Sequence, residues 1–77
     1  MNATTEAIIT RLRKIAVDGL VSPQDIAGAY GMNSPNAIVR DVRAGRLPAN
    51  RIHNRTFISI AAAERYIEEN EYTPDEA

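Results

Sequence analysis

The chain has 77 residues and a mass of 8.5 kDa, so it reads as one small domain, too short for a two-domain cleft or a deep substrate cavity. With no cysteine and a single histidine, His53, disulfides, thiolate catalysis and cysteine-ligated zinc are excluded. The net charge of −1 hides a division. Residues 36–58 carry Arg40, Arg43, Arg46, Arg51 and Arg55 against Asp41 alone, whereas residues 59–77 carry Glu64, Glu68, Glu69, Glu71, Asp75 and Glu76 against Arg65 alone. Such asymmetry suggests a basic working surface followed by an acidic end.

The first segment predicts an amphipathic helix over residues 5–18. Ile8, Leu12 and Ile15 recur at i, i+4 and i+7, with Ile9 and Ala16 widening the stripe. Asn2, Thr4 or Thr5 can cap its start, and Gly19 stands where a left-handed residue ends a helix. Lys14 and Asp18 then form an i, i+4 pair. The apolar stripe either covers the core of its own chain or meets a neighbouring copy.

Ser22-Pro23-Gln24-Asp25 opens a second helix: a capping serine, proline at the first helical position, and an aspartate able to reach back in a capping box. Gly31 ends it after Tyr30. Ser34-Pro35 repeats the opening and predicts a third helix that runs to Ala44 and stops at Gly45. Two short helices around Gly31-Met32-Asn33 have the sequence form of a helix-turn-helix.

Residues 46–49 are extended because Pro48 restricts Leu47. Residues 50–53 and 56–58 then predict two strands around a turn at Asn54-Arg55. Ser59 caps a last helix over residues 60–69 that buries Ala62, Ala63, Tyr66 and Ile67. Residues 70–77 are acidic, hold Pro74 and lack periodicity, which predicts a disordered tail. The longest apolar run, residues 60–63, is far below the roughly 18 needed to span a membrane. The N-terminus shows no signal peptide.

Catalysis finds no support. No glycine-rich phosphate cradle is present, and the terminal carboxylates are expected to be solvated with ordinary pKa values. Nothing orients His53 beside a serine or threonine. The expectation is a protein that is not an enzyme and uses no cofactor and no metal.

Binding fares better. At about 100° per residue, Asn36, Arg40 and Arg43 fall within a sector about 60° wide on the third helix, while Ile38 and Val42 anchor the opposite side. Arginine's planar fork matches guanine O6 and N7, asparagine pairs with adenine N6 and N7, and an α-helix fits the major groove. Arg51 and Arg55 bracket the hairpin turn with His53 and Asn54 between them, and Arg46 begins the connection. A basic strand-turn-strand of this kind reaches phosphates or a narrow minor groove. The candidate DNA-binding residues are therefore Asn36, Arg40, Arg43, Arg46, Arg51, Asn54 and Arg55. His53 reads as a turn residue, and Phe57 and the three tyrosines as core or boundary residues.

The stretch from Leu20 to Ile67 carries a family resemblance. Leu20-Val21-Ser22-Pro23-Gln24-Asp25-Ile26-Ala27 resembles the opening of the small excisionase-like (MerR-like) winged-helix domains. Gly45-Arg46-Leu47-Pro48-Ala49 resembles their G-x-L-P-A signature, and residues 52–59 resemble their wing. Three positions depart from the pattern: one extra residue in the turn, placed at Asn33, Asp41 where an apolar residue is common, and His53 where glycine is frequent. The helix before residue 20 is an addition to the minimal family core.

The resemblance implies a mainly α fold with a small β-hairpin wing, a winged helix-turn-helix, to which the apolar periodicity of the first segment adds an extra N-terminal helix. Residues 1–19 would form that helix, 20–69 the DNA-binding domain and 70–77 the acidic tail. It further implies an excisionase, or recombination directionality factor. Such a protein would bind and bend double-stranded attachment-site DNA in the cytoplasm of a bacterial host, directing integrase toward prophage excision. Copies of itself bound cooperatively on DNA, and an integrase, are the expected partners, with no membrane involved. A small phage transcriptional regulator of the same fold, and a protein-interaction module that does not bind DNA, remain as alternatives.

Overall fold

The computed structural model describes residues 2–71. It has four helices and a small three-stranded antiparallel sheet, in the order α1 (Ala3–Ile15), β1 (Leu20–Val21), α2 (Pro23–Tyr30), α3 (Asn36–Arg43), β2 (Asn50–Ile52), β3 (Arg55–Ser59) and α4 (Ile60–Glu69). The expected disordered tail falls, from residue 72 onward, outside the described residues.

Asn2 is the residue that caps α1, its side chain accepting from the Thr5 N–H at 2.7 Å. The helix ends three residues before the predicted Asp18. Asp18 and Gly19 adopt φ of 53° and 75°, and Val17 and Leu20 exchange backbone hydrogen bonds of 3.0 and 2.9 Å across them. Aspartate-glycine suits a hairpin-type turn with positive φ at both central positions, and that preference overrides helical continuation. Gly19 is thus a turn residue and not a helix terminus. Lys14 and Asp18 lose the helical geometry of an i, i+4 pair, and Ile15 is left 40% exposed. The turn feeds β1, a strand too short to announce itself in the sequence. It pairs with β3 in the register Leu20↔Ser59 and Val21↔Ile58.

Ser22 and Asp25 form the full capping box of α2, at 2.9 and 3.1 Å. Two helices end alike. Gly31 (φ 81°) donates to Gly28 O and Met32 to Ala27 O; Gly45 (φ 78°) donates to Val42 O and Arg46 to Asp41 O. Both are Schellman closures, which need glycine in the left-handed region.

The second serine-proline does not repeat the first. Pro35 itself occupies the N-cap of α3, and Ser34 Oγ accepts only from the Asn36 N–H, at 3.2 Å. The linker between α2 and α3 is therefore 31–35, longer than the expected three residues. In the hairpin, His53 (φ 50°) and Asn54 (φ 65°) are the turn residues. The register Asn50↔Phe57, Arg51↔Thr56 and Ile52↔Arg55 puts Arg55 in β3, not in the turn. Ser59 Oγ accepts from the Ala62 N–H at 3.1 Å and caps α4 as expected.

The sheet order is β1-β3-β2. One core draws on every helix: Leu12, Val21, Ile26, Ile38, Leu47, Ile58 and Ile67 are fully buried. Ile8, Ile9 and Leu12 of α1 belong to it, so the N-terminal stripe covers the core of its own chain. Arg13 binds Glu64 of α4 in a bidentate pair at 2.8 and 2.9 Å. Among the described residues no helix is long and apolar enough to cross a membrane.

Candidate nucleic-acid interface

Helix α3 is eight residues long, and only Ile38 is fully buried. Val39 and Val42 are half-buried, while Asn36, Arg40 and Arg43 are exposed. The core anchors and the polar face thus oppose each other, as the helical spacing predicts. Val39 lies at about 100° from Arg40 on the helix circumference, on the side that meets the hairpin.

Between α3 and the hairpin lies an open trough made of two adjoining depressions. One, of about 230 Å³, is lined by Val39, Val42 and Arg43 on the helix side and Asn50, Arg51 and Thr56 on the hairpin side. The other, of about 520 Å³, is bordered by Pro35, Val39, Asn54, Arg55 and Phe57. Pro23, Val39 and Thr56 line both. Arg43 and Arg51 therefore stand together at one end of the trough, and Arg55 with Asn54 at the other. Arg40 and Asn36 are exposed on α3 and line neither depression.

No carboxylate of the described residues lies within ion-pair distance of Arg40, Arg43, Arg51 or Arg55. All four side chains are exposed, and an anion approaching the trough meets Arg43, Arg51 and Arg55 without displacing an internal ion-pair partner. Arg46 differs. Its Nη1 is 3.1 Å from Asp41 Oδ1, so this predicted phosphate contact is drawn to an internal carboxylate. Asp41 sits on the flank of α3 opposite Val39, away from the hairpin.

Asp41 also accepts a hydrogen bond from the Tyr66 hydroxyl of α4. That bond, followed by the guanidinium groups of Arg46 and Arg40, outweighs burial and holds the Asp41 carboxyl below the ordinary aspartate range. Burial first, and Asp41 second, push the Tyr66 phenol far above its ordinary value. The carboxylates at the acidic end are not all ordinary either. Glu64 is held down by Arg13, and Glu71 by the Asn2 backbone N–H at 2.6 Å.

Sequence reasoning missed the roles of Asp41 and Tyr66. The i, i+5 spacing of Asp41 and Arg46 crosses a helix end, and Tyr66 lies 25 residues from Asp41, so no periodicity links them. Among the described residues no group of three histidine or acidic side chains could hold a metal ion. No model of a known protein family matches the chain, and no curated protein or solved structure matches it.

Proposed function

We propose that this chain is a winged helix-turn-helix protein that binds double-stranded DNA, with α2 and α3 as the helix-turn-helix and β2–β3 as the wing. The single observation that carries the reading is the placement of Arg43, Arg51 and Arg55 around one open trough between α3 and the hairpin, with Arg40 exposed beside it on α3 and none of the four in an ion pair. Arg40, Arg43 and Asn36 would read base edges in the major groove. Arg51, Arg55 and Asn54 would follow the sugar-phosphate strand or the adjacent minor groove.

Within that class, the motifs at residues 20–27, 45–49 and 52–59 support an excisionase-type factor. It would bend attachment-site DNA, at a cost of about 1–6 kcal/mol offset by additional contacts, and assist an integrase without chemistry of its own. Neighbouring copies on DNA would raise selectivity through effective concentration.

The test is a mobility-shift titration on attachment-site duplexes with integrase present and absent, repeated across salt concentrations. Binding that weakens steeply with salt, and an integrase-dependent higher complex on attachment-site DNA, are expected. Binding without any effect on integrase would favour the transcriptional-regulator reading. No duplex binding at low salt would overturn the proposal.

A further inference from the structure

Helix α3 is held loosely for an element that would read bases. It spans about two turns, has no side-chain hydrogen bond at its N-cap, and buries only Ile38 completely. Ile38 and Val42 lie within about 40° of each other on its circumference. A single narrow apolar stripe fixes the distance of a helix from its core better than it fixes rotation about the helix axis. The orientation of Arg40 and Arg43 therefore needs a second restraint.

Tyr66 and Asp41 supply it. Tyr66 is only 7% exposed within the core cluster, and its ring is seated by α4. Its hydroxyl reaches across to the Asp41 carboxylate on the flank of α3, about 100° from Arg40. The same carboxylate gathers Arg46 beyond the C-terminal end of the helix, while the Arg46 backbone N–H closes on Asp41 O at 2.9 Å. The helix is thus tied at its core side by Ile38 and at its flank by Asp41.

We infer that Tyr66 and Asp41 are positioning residues for sequence discrimination, setting the roll of α3 from the fourth helix although neither lines the trough. The inference rests on the DNA-binding reading above. A roll of about 20° moves an atom 5–6 Å from the helix axis by about 2 Å. Recognition constellations need to be held within about 0.5 Å. Releasing the tie should therefore blur base reading while leaving the arginine charge, and with it sequence-independent affinity, intact.

The experiment begins by selecting a preferred duplex from a random pool with the wild-type protein, then measuring affinity for that duplex and for an unrelated one. Tyr66→Phe removes only the hydroxyl; Asp41→Asn keeps an acceptor for it; Asp41→Ala removes the tie from the α3 side. Tyr66→Phe and Asp41→Ala should each lower the ratio of preferred to unrelated affinity about tenfold. Tyr66→Phe should leave the unrelated duplex and its salt slope unchanged, and Asp41→Asn should recover most of the ratio. Circular dichroism of the variants confirms that they remain folded. An unchanged ratio in both Tyr66→Phe and Asp41→Ala, or an equal loss on both duplexes, overturns the inference while leaving DNA binding standing. If the wild-type protein enriches no sequence and retains no duplex at low salt, the DNA-binding reading fails, and the inference with it.

Discussion

Arg11 of α1 donates two hydrogen bonds to one backbone carbonyl, that of Ala29, from Nε at 3.0 Å and Nη2 at 2.8 Å. Ala29 lies in the last turn of α2, where carbonyls have no partner within the helix. Gly28 O and Ala27 O are taken by the Schellman closure at Gly31, and Arg11 takes the next. A residue from the N-terminal helix therefore completes the end of the helix that leads into the turn before α3. The cation also lies at the negative end of the α2 dipole.

Arg11→Ala should accordingly lower stability by about 1–2 kcal/mol, the range for a hydrogen bond to a charged donor discounted for exposure. In a chain of this size each kcal/mol shifts Tm by about 4–8 °C. Arg11→Lys, which offers a point charge in place of a planar fork, should recover only part of the loss. Thermal unfolding followed by circular dichroism reads both; an Arg11→Ala variant as stable as the parent would show that solvent replaces the contact without cost.

Deleting residues 1–18 should abolish cooperative folding. The deletion removes Ile8, Ile9 and Leu12 from the single core, and truncating even one fully buried leucine typically costs 2–5 kcal/mol. A deletion variant with a sharp urea transition would contradict this and would assign α1 to a contact between copies.

Local signals were legible in the sequence, and contacts across the chain were not. Ser22-Pro23 with Asp25, and Ser59, marked helix starts correctly because a cap acts within three residues. The second serine-proline misled: Pro35 took the N-cap, and α3 began one residue later. Both positive-φ turns were displaced or overlooked, since apolar periodicity through Ile15 and Ala16 masked the turn at Asp18-Gly19. Arg40, Arg43, Arg51 and Arg55 were found as exposed basic groups by spacing and composition. The diversion of Arg46 to Asp41, and the tie from Asp41 to Tyr66, depend on how α4 packs.

Glycine substitutions within and at the end of α2 should have opposite signs. Gly28 has no positive φ, and a Cβ built there meets nothing within 4 Å. Gly28→Ala should stabilise by about 0.5–1 kcal/mol by restricting the unfolded chain. Gly31 has equal space but a φ of 81°, so Gly31→Ala should destabilise by about 1–2 kcal/mol through backbone strain alone. Urea midpoints of the two variants decide the matter.

Acid should unfold the protein partly through Asp41 and Glu64. Both carboxyls titrate lower in the folded chain than in the unfolded one, so the folded state binds fewer protons. Their contribution is present above roughly pH 4, the unfolded range, and is lost as pH falls through the folded values. Tyr66 runs the other way: its phenol is raised on folding, so its contribution is present below roughly pH 10 and is lost in stronger alkali. Asp41→Asn should flatten the acid limb of stability against pH, whereas Arg13→Ala should alter it less, because Arg13 is 63% exposed and solvent can take its place at Glu64, while Asp41 accepts from the buried Tyr66 hydroxyl.

On DNA, Arg51→Ala and Arg55→Ala should each weaken binding across all sequences and reduce the salt slope by about one. Arg46→Ala should change the slope less, because its guanidinium is already engaged by Asp41. A full unit lost at Arg46 would mean that DNA draws it away from that carboxylate.

Strand β2 has a ladder partner on one side only, and all three of its residues are exposed. Such a strand opens locally at a small fraction of the free energy that opens the core, and its amides should exchange with solvent early. Arg40 and Arg43 likewise project from the core without contributing to it. The side chains that would meet a partner and those that hold the chain folded are largely different sets. Substitutions of the exposed side chains on α3's outer face and on β2 should therefore be nearly neutral for stability, and a scaffold of this kind could change what it binds without first acquiring compensating mutations in the core.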